Sequence, residues 1–283
     1  MVSLAQGSRR RKGTPAASGR QSATGGMWDA EDMANSRSGD SVTDRIVRIL
    51  DTFTAERTVQ TAAQIGRRAG LPSSTAHRQV DGLVAAGLLE RDEDARVRLG
   101  MRLWELALRG SQALRLRQAA MPFMEEVQAN VREHTQLAVL EQDEALFLER
   151  LSSPDSGANI TRIAGRLPLH ASSSGLVLLA FGSTDLQERV LAAPLARISA
   201  ETITDAAALR RTLAHIRRVG YVVAPGSIEA VSTGVAVPVR DGSGTVVAAL
   251  SVVLPRTAPT EGAVAALRDA ATGIRSTLAA DRR

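Results

Sequence analysis

The chain has no cysteine among its 283 residues. Disulfides, thiolate chemistry, zinc ribbons and cysteine-ligated iron–sulfur clusters are therefore excluded. Lysine is almost missing as well: Lys12 stands alone in a basic complement of 35, the rest being arginine. That bias reads as genomic base composition and carries no functional weight. The histidines, His77, His134, His170 and His215, are too scattered for a local metal motif, and neither a metal nor a cofactor is expected. No run approaches the ~18 consecutive apolar residues of a membrane span. The longer ones, 176–181 and 246–250, fall far short. No apolar stretch follows the basic run 9–12, so a secretory signal is not expected. The expectation is a cytoplasmic protein without a membrane partner.

What remains is ordinary globular material, 44% hydrophobic and 23% charged. Its length fits one or two domains of ~100–200 residues each. Net charge is +5, and its distribution says more than its size. Residues 57–80 hold Arg57, Arg67, Arg68, His77 and Arg78 without one Asp or Glu. A local positive face in a near-neutral domain is what a phosphate-contacting surface looks like. A solvated helix face has the same composition, so composition alone does not choose.

Residues 1–40, rich in Gly, Ser, Ala and Arg, show no apolar periodicity and read as a disordered basic tail. From Ser41 an amphipathic helix is expected, with Val42, Ile46, Ile49, Leu50 and Phe53 on one face. Thr61 and Gln64 fit a capping box for a second helix that Gly70 ends. After Leu71-Pro72, Ser73 or Ser74 caps a third helix that buries Ala76, Val80, Leu83 and Val84. A hairpin over 88–91 and 96–99 follows. Three helices and a hairpin make a winged helix-turn-helix over 41–100. A connector or dimerisation helix is expected over 101–118, continuing the stripe Leu103, Leu106, Ala107 and Leu114, and another helix starting at Pro122. Over 119–283 strands are expected at 137–141, 146–151, 160–164, 235–240 and 245–254, with helices at 173–181, 185–191, 205–219 and 260–278. Such hairpins imply an antiparallel sheet with packed helices, so the chain is of the α+β class.

In a helix-turn-helix the second helix of the pair enters the major groove, and its first residues reach base edges. Here those are Ser73, Ser74, Thr75, His77, Arg78 and Gln79. Their hydroxyls, guanidinium and helix N-terminal amides suit phosphate and base contacts. Arg67 and Arg68 at the end of the preceding helix, and Arg96 and Arg98 in the wing, can grip the DNA backbone. A winged helix used for protein contact, making the chain an effector-sensing adaptor, is the alternative. In the second domain Ser172, Ser173 and Ser174 sit where a loop becomes a helix, with Gly175 allowing close approach. Amides and hydroxyls there attract a carboxylate, although a plain serine N-cap has the same sequence. His170 beside these serines raises a serine hydrolase as a further alternative, but no Gly-x-Ser-x-Gly elbow and no acidic partner accompany it. An enzyme is therefore not expected.

Across these segments the chain resembles the IclR family of bacterial transcriptional regulators. The resemblance is carried by Ala69-Gly70-Leu71-Pro72-Ser73-Ser74-Thr75-Ala76-His77-Arg78, by Arg98-Leu99-Gly100, and by Leu167-Pro168-Leu169-His170-Ala171-Ser172-Ser173-Ser174-Gly175. Gly220-Tyr221, the run 235–239 and the run 248–252 continue it to the C-terminal helix. It implies a winged helix-turn-helix joined to a GAF-like effector-binding domain. It further implies a homodimer or dimer of dimers on double-stranded operator DNA, as repressor or activator, controlled by a small organic acid. By resemblance the amides of Ser173 and Ser174 receive the ligand carboxylate, while Gly234, Ser251 and Val253 line the same cavity from the sheet. The chain departs from the family pattern where Ala224, Gly226 and Ser227 replace common acidic residues, where Val231 replaces a usual glycine, and where Leu176 replaces a frequent lysine. Those changes predict a more apolar pocket.

Overall fold

The computed structural model describes residues 40–109, 111–153, 156 and 161–280. The tail expected over 1–40 therefore lies, except for Asp40, outside the described residues. The chain divides into two compact units, Met1–Gly100 and Met101–Arg283.

The first unit begins with α1 (Val42–Asp51). Ser41 caps it: its Oγ accepts from the Asp44 amide at 3.1 Å while the Asp44 carboxylate accepts from the Ser41 amide at 3.0 Å. The bonds from the Ser41 hydroxyl and then its amide hold the Asp44 carboxyl below its usual range. Val42, expected on the buried face, is exposed instead, because it occupies the first turn, ahead of the packed residues Ile46, Ile49 and Leu50. A short strand β1 (Gln60–Thr61) leads into α2 (Ala62–Arg68), whose capping box is the predicted Thr61–Gln64 pair. Gly70, at φ 65°, ends α2, and the Leu71 amide bonds back to the Gly66 carbonyl at 2.9 Å. Then come α3 (Ser73–Ala85), β2 (Leu89–Arg91) and β3 (Arg96–Leu99). The strands pair in the order β1-β3-β2. β1, two residues long, has no periodicity to betray it. Ile49, Ala62, Ile65, Val80, Leu83, Leu89 and Val97 form one core.

The second unit opens differently from expectation. The helix expected over 101–118 is replaced by α4 (Met101–Leu108), none of whose residues is buried, and α5 (Gln112–Val131). Ser111 caps α5, its Oγ accepting from the Leu114 amide at 3.2 Å. Pro122 lies inside α5 instead of starting a helix. Magnitudes explain this. An interior proline costs ~3 kcal/mol, whereas Leu116, Ala120, Met124 and Val127 all bury against the sheet cluster, at ~1.5–3 kcal/mol for each larger side chain.

The sheet contains β4 (His134–Glu141), β5 (Glu144–Leu151), β6 (Arg166–Pro168), β7 (Val222–Pro225), β8 (Ser232–Arg240) and β9 (Val246–Pro255). Their order is β6-β5-β4-β9-β8-β7, antiparallel throughout. The strand expected at 160–164 is absent from 161–164, and Ile160 lies outside the described residues. Ala164 takes φ 61° and the Gly165 amide bonds to the Arg162 carbonyl at 2.8 Å, so a turn occupies that stretch and pairing starts at Arg166. On one face lie α5 and α9 (Glu261–Ala280), over Leu137, Val235, Val237, Leu250 and Val252. On the other lie α6 (Ser173–Phe181), α7 (Thr184–Ala192) and α8 (Ala206–Val219), over Ala138, Ala145, Phe147, Ala236 and Ala249. Residues 173–180 are all buried, the behaviour of a helix apolar on every side. The small side chains beneath it make room.

Thr61→Ala removes an N-cap acceptor and should destabilise the first unit by ~1 kcal/mol. A urea titration followed by circular dichroism reads the shift, and an unchanged midpoint contradicts the capping assignment.

Candidate nucleic-acid interface and effector cavity

The turn between α2 and α3 is held by close approach. A Cβ added at Gly66 would lie 2.8 Å from the Ala76 Cβ, so a larger residue there would force the two helices apart. Ser73 and Ser74 do not cap α3 as expected. Pro72 holds that position and supplies no side-chain bond, and the Ser73 Oγ lies 3.5 Å from the His77 Nδ1 instead. Among the described residues the Ser73, Ser74 and Thr75 amides consequently have no protein acceptor.

Ser73, Ser74, His77 and Arg78 are exposed, and Thr75 and Gln79 half-buried, while Ala76 and Val80 face the core. Arg67 is exposed, and neither it nor Arg78 pairs with a described residue. Arg68 differs: its guanidinium donates to the Gln60 Oε1, and Gln60 in turn donates to the Thr52 carbonyl and hydroxyl. In the wing, Arg98 pairs across the strands with Glu90 at 3.0 Å, and Arg96 lies 4.0 Å from Asp94. The Asp92 carboxylate accepts from the Asp94 and Arg96 amides, closing the turn from within. The predicted residues are therefore brought to one unit, with Arg67, Arg78 and the first turn of α3 the least encumbered.

In the second unit a cavity of about 40 Å³ opens at the start of α6. Ser172, Ser173, Ser174, Gly234 and Val253 line it. Gly175 does not; it packs beneath, where an added Cβ would stand 2.7 Å from both the Cα and the carbonyl oxygen of Leu169. Ser251 lies below the floor, fully buried, with its Oγ accepting from the Ser174 Oγ at 2.8 Å. The Ser172 Oγ caps α6 by accepting from the Gly175 amide at 3.0 Å. Two of the three serine hydroxyls are thus engaged within the protein. The Ser173 and Ser174 amides and the Ser173 Oγ have no partner among the described residues. Ser173 is only 7% exposed. Gly234 creates its space, since a Cβ there would stand 2.6 Å from the Ser173 Oγ.

Several lining residues escape sequence reasoning. Gln136 on β4, Phe147 on β5, Thr161, and Ser227 with Glu229 in the β7–β8 connection come from four separate segments. Only the alternation of β4 carries a signal, placing Gln136 on the same face as Ala138. Gln136 donates from Nε2 to the Thr161 Oγ1 and accepts from the Ser251 Oγ at 3.5 Å. The buried floor is therefore a chain of hydrogen bonds from Ser174 to Thr161. His170 is buried with its Nε2 2.9 Å from the Ala196 carbonyl, a structural contact that leaves no pairing with the serines. Among the described residues no group of three His, Asp or Glu side chains can hold a metal ion, and no helix is long and apolar enough to cross a membrane.

A winged helix-turn-helix followed by a six-stranded sheet with a polar cavity is the architecture of a DNA-binding regulator with an effector-binding domain. Comparison with known proteins agrees. Residues 42–93 match the IclR helix-turn-helix domain, and residues 110–276 match the bacterial transcriptional regulator IclR C-terminal domain. The chain belongs to the IclR family of transcriptional regulators, and it is not an enzyme. It is 30% identical over 210 residues to the HTH-type transcriptional regulator XynR of Escherichia coli (strain K12), covering 74% of this chain and 83% of that one. Identity to the Pca regulon regulatory protein of Pseudomonas putida is 27%, over 74% of this chain and 72% of the relative. Among solved structures, an IclR homolog from Microbacterium hydrocarbonoxydans complexed with 4-hydroxybenzoate is 61% identical, with a TM-score of 0.81, covering 84% of this chain and 99% of that one.

Gly175→Ala tests the packing of α6. Helix propensity alone favours alanine by ~1 kcal/mol, but the Leu169 main chain cannot retreat, and overpacking costs ~1–3 kcal/mol. A net loss of stability in urea denaturation is expected; a gain would show that α6 does not approach Leu169 this closely.

Proposed function

We propose that this regulator reads operator DNA through the first turn of α3 and is controlled by an aromatic organic acid held at the first turn of α6. Ser73, Ser74, Thr75, His77, Arg78 and Gln79 face the duplex. Arg67 grips phosphate, supported by Arg68, and Arg96 and Arg98 approach the backbone from the wing, Arg98 exchanging Glu90 for phosphate. The observation carrying this reading is the exposed, unpaired Arg78 beside three helix amides without protein acceptors. Guanidinium can fork onto guanine, and free N-terminal amides favour phosphate.

For the effector, the unpaired amides of Ser173 and Ser174 and the Ser173 hydroxyl receive a carboxylate, with Ser172, Gly175, Gly234, Ser251 and Val253 shaping the site. The 61% identical neighbour complexed with 4-hydroxybenzoate supports an aromatic hydroxy acid. The cavity of about 40 Å³ holds water but not a benzoate ring, so binding must part its walls. That movement is what an effector can use: it shifts an equilibrium only by its differential affinity for two arrangements. α4 serves as the connector, and the effector domain begins with α5, whose Leu116 already packs against the sheet. The protein acts in the cytoplasm as a homodimer, two heads reaching half-sites about one helical turn, ~34 Å, apart or a multiple of it.

Gel-shift titration with the adjoining promoter tests the DNA reading. Arg78→Ala should cost ~1–3 kcal/mol at the specific site. Arg67→Ala should weaken binding to every sequence and lower the salt slope by about one. Unchanged affinity in both variants, in a folded protein, contradicts the interface.

A further inference from the structure

The cavity at α6 has two chemically opposite sides. On the helix side the groups without a partner among the described residues can all donate: the Ser173 and Ser174 amides and the hydroxyl of Ser173, a residue 7% exposed. The Ser174 hydroxyl cannot join them as a donor, because its proton is committed to Ser251. On the side of the β7–β8 connection stands Glu229. Its backbone carbonyl accepts from the Ser232 amide at 3.0 Å and the Ser232 hydroxyl at 3.2 Å, which anchors the residue at the cavity wall. Its carboxylate takes no hydrogen bond or ion pair from a described residue. Among the described residues no Arg, Lys or His lines the cavity, and Glu229 is the sole ionisable lining residue.

From this polarity we infer that Glu229 is a specificity-determining residue. It accepts a hydrogen bond from a hydroxyl on the part of the ligand remote from its carboxylate, and it repels a second negative charge there. The inference rests on the carboxylate reading of the α6 turn given above, and deepens it. Glu229 is a half-buried residue whose carboxylate has no partner among the described residues, and a neutral hydroxyl donor would give it a charge-assisted bond. A benzoate lacking the hydroxyl would leave the carboxylate desolvated and unpaired, and a para-dicarboxylate would place two anions together. The selected class is then a monoanionic acid bearing a distal hydroxyl. Gln136 and Thr161 do not compete for the role, since their side chains already satisfy each other on the floor.

Calorimetric titration of the full chain with 4-hydroxybenzoate, benzoate and terephthalate decides it. The native protein should prefer 4-hydroxybenzoate over benzoate by about tenfold or more, and should not bind terephthalate. Glu229→Ala should bring the two monoacids to within about twofold, through weaker binding of 4-hydroxybenzoate. Glu229→Gln, which keeps the shape, should lose part of the preference and admit terephthalate. Unliganded melting temperatures of both variants check that they fold. If both monoacids bind and Glu229→Ala leaves their ratio unchanged, the role of Glu229 is overturned while the carboxylate site stands. If neither monoacid binds the folded native protein, the aromatic-acid reading fails and this inference fails with it.

Discussion

The close approach of the first turn of α6 to the sheet governs the second unit. It requires Gly234 beneath Ser173, Gly175 against the Leu169 backbone, and alanines at 138, 236 and 249 where larger residues would lift the helix. Given that approach, α6 can be buried along nearly its whole length, and its N-terminal amides end at a cavity instead of in water. A buried helix start whose amides lack protein acceptors is costly unless water or a ligand completes it. The packing that builds the core thus also prepares a place for an anion.

The same device occurs in the first unit with the opposite exposure. α3 also starts with two serines, and its N-cap, Pro72, satisfies no amide through a side chain. There the unpaired amides stand at the surface beside Arg78, a setting for a large polyanion. At α6 they stand in a small enclosed space, a setting for a single carboxylate. Both helix starts leave amides without protein acceptors, but only α6 has a side-chain cap, Ser172, and burial separates which anion each can accommodate. Gly66 against Ala76 and Gly234 against Ser173 are matching details, each removing a Cβ so that a helix start can be positioned.

Much of this architecture is legible in the amino-acid sequence. The capping residues Ser41 and Thr61 and the turn at Gly70 mark the first unit because caps and turns are local chemistry. α6, α8 and the β8–β9 hairpin are readable from uniform or periodic apolar runs. The accommodation of Pro122 is not, since it depends on a face of α5 that becomes buried only when the sheet is formed. β1 and β7 are short edge strands without a pattern of their own. Within the cavity the helix-start serines are legible, and Gly234 only through the family resemblance. Gln136, Thr161 and Glu229 are not, because sequence separations of dozens of residues hide what the sheet brings together. The acidic positions that the family pattern suggests after Gly220-Tyr221 fall at 224–227, short of Glu229.

The central claim is that the free amides at the start of α6 are the anion receptor. Amide proton and nitrogen shifts of Ser173 and Ser174, followed in the isotope-labelled full chain during addition of 4-hydroxybenzoate, test it most directly. Saturable downfield movement of both amide protons, in step with binding, is the predicted result. Binding that leaves these two amides unmoved while others shift would contradict it.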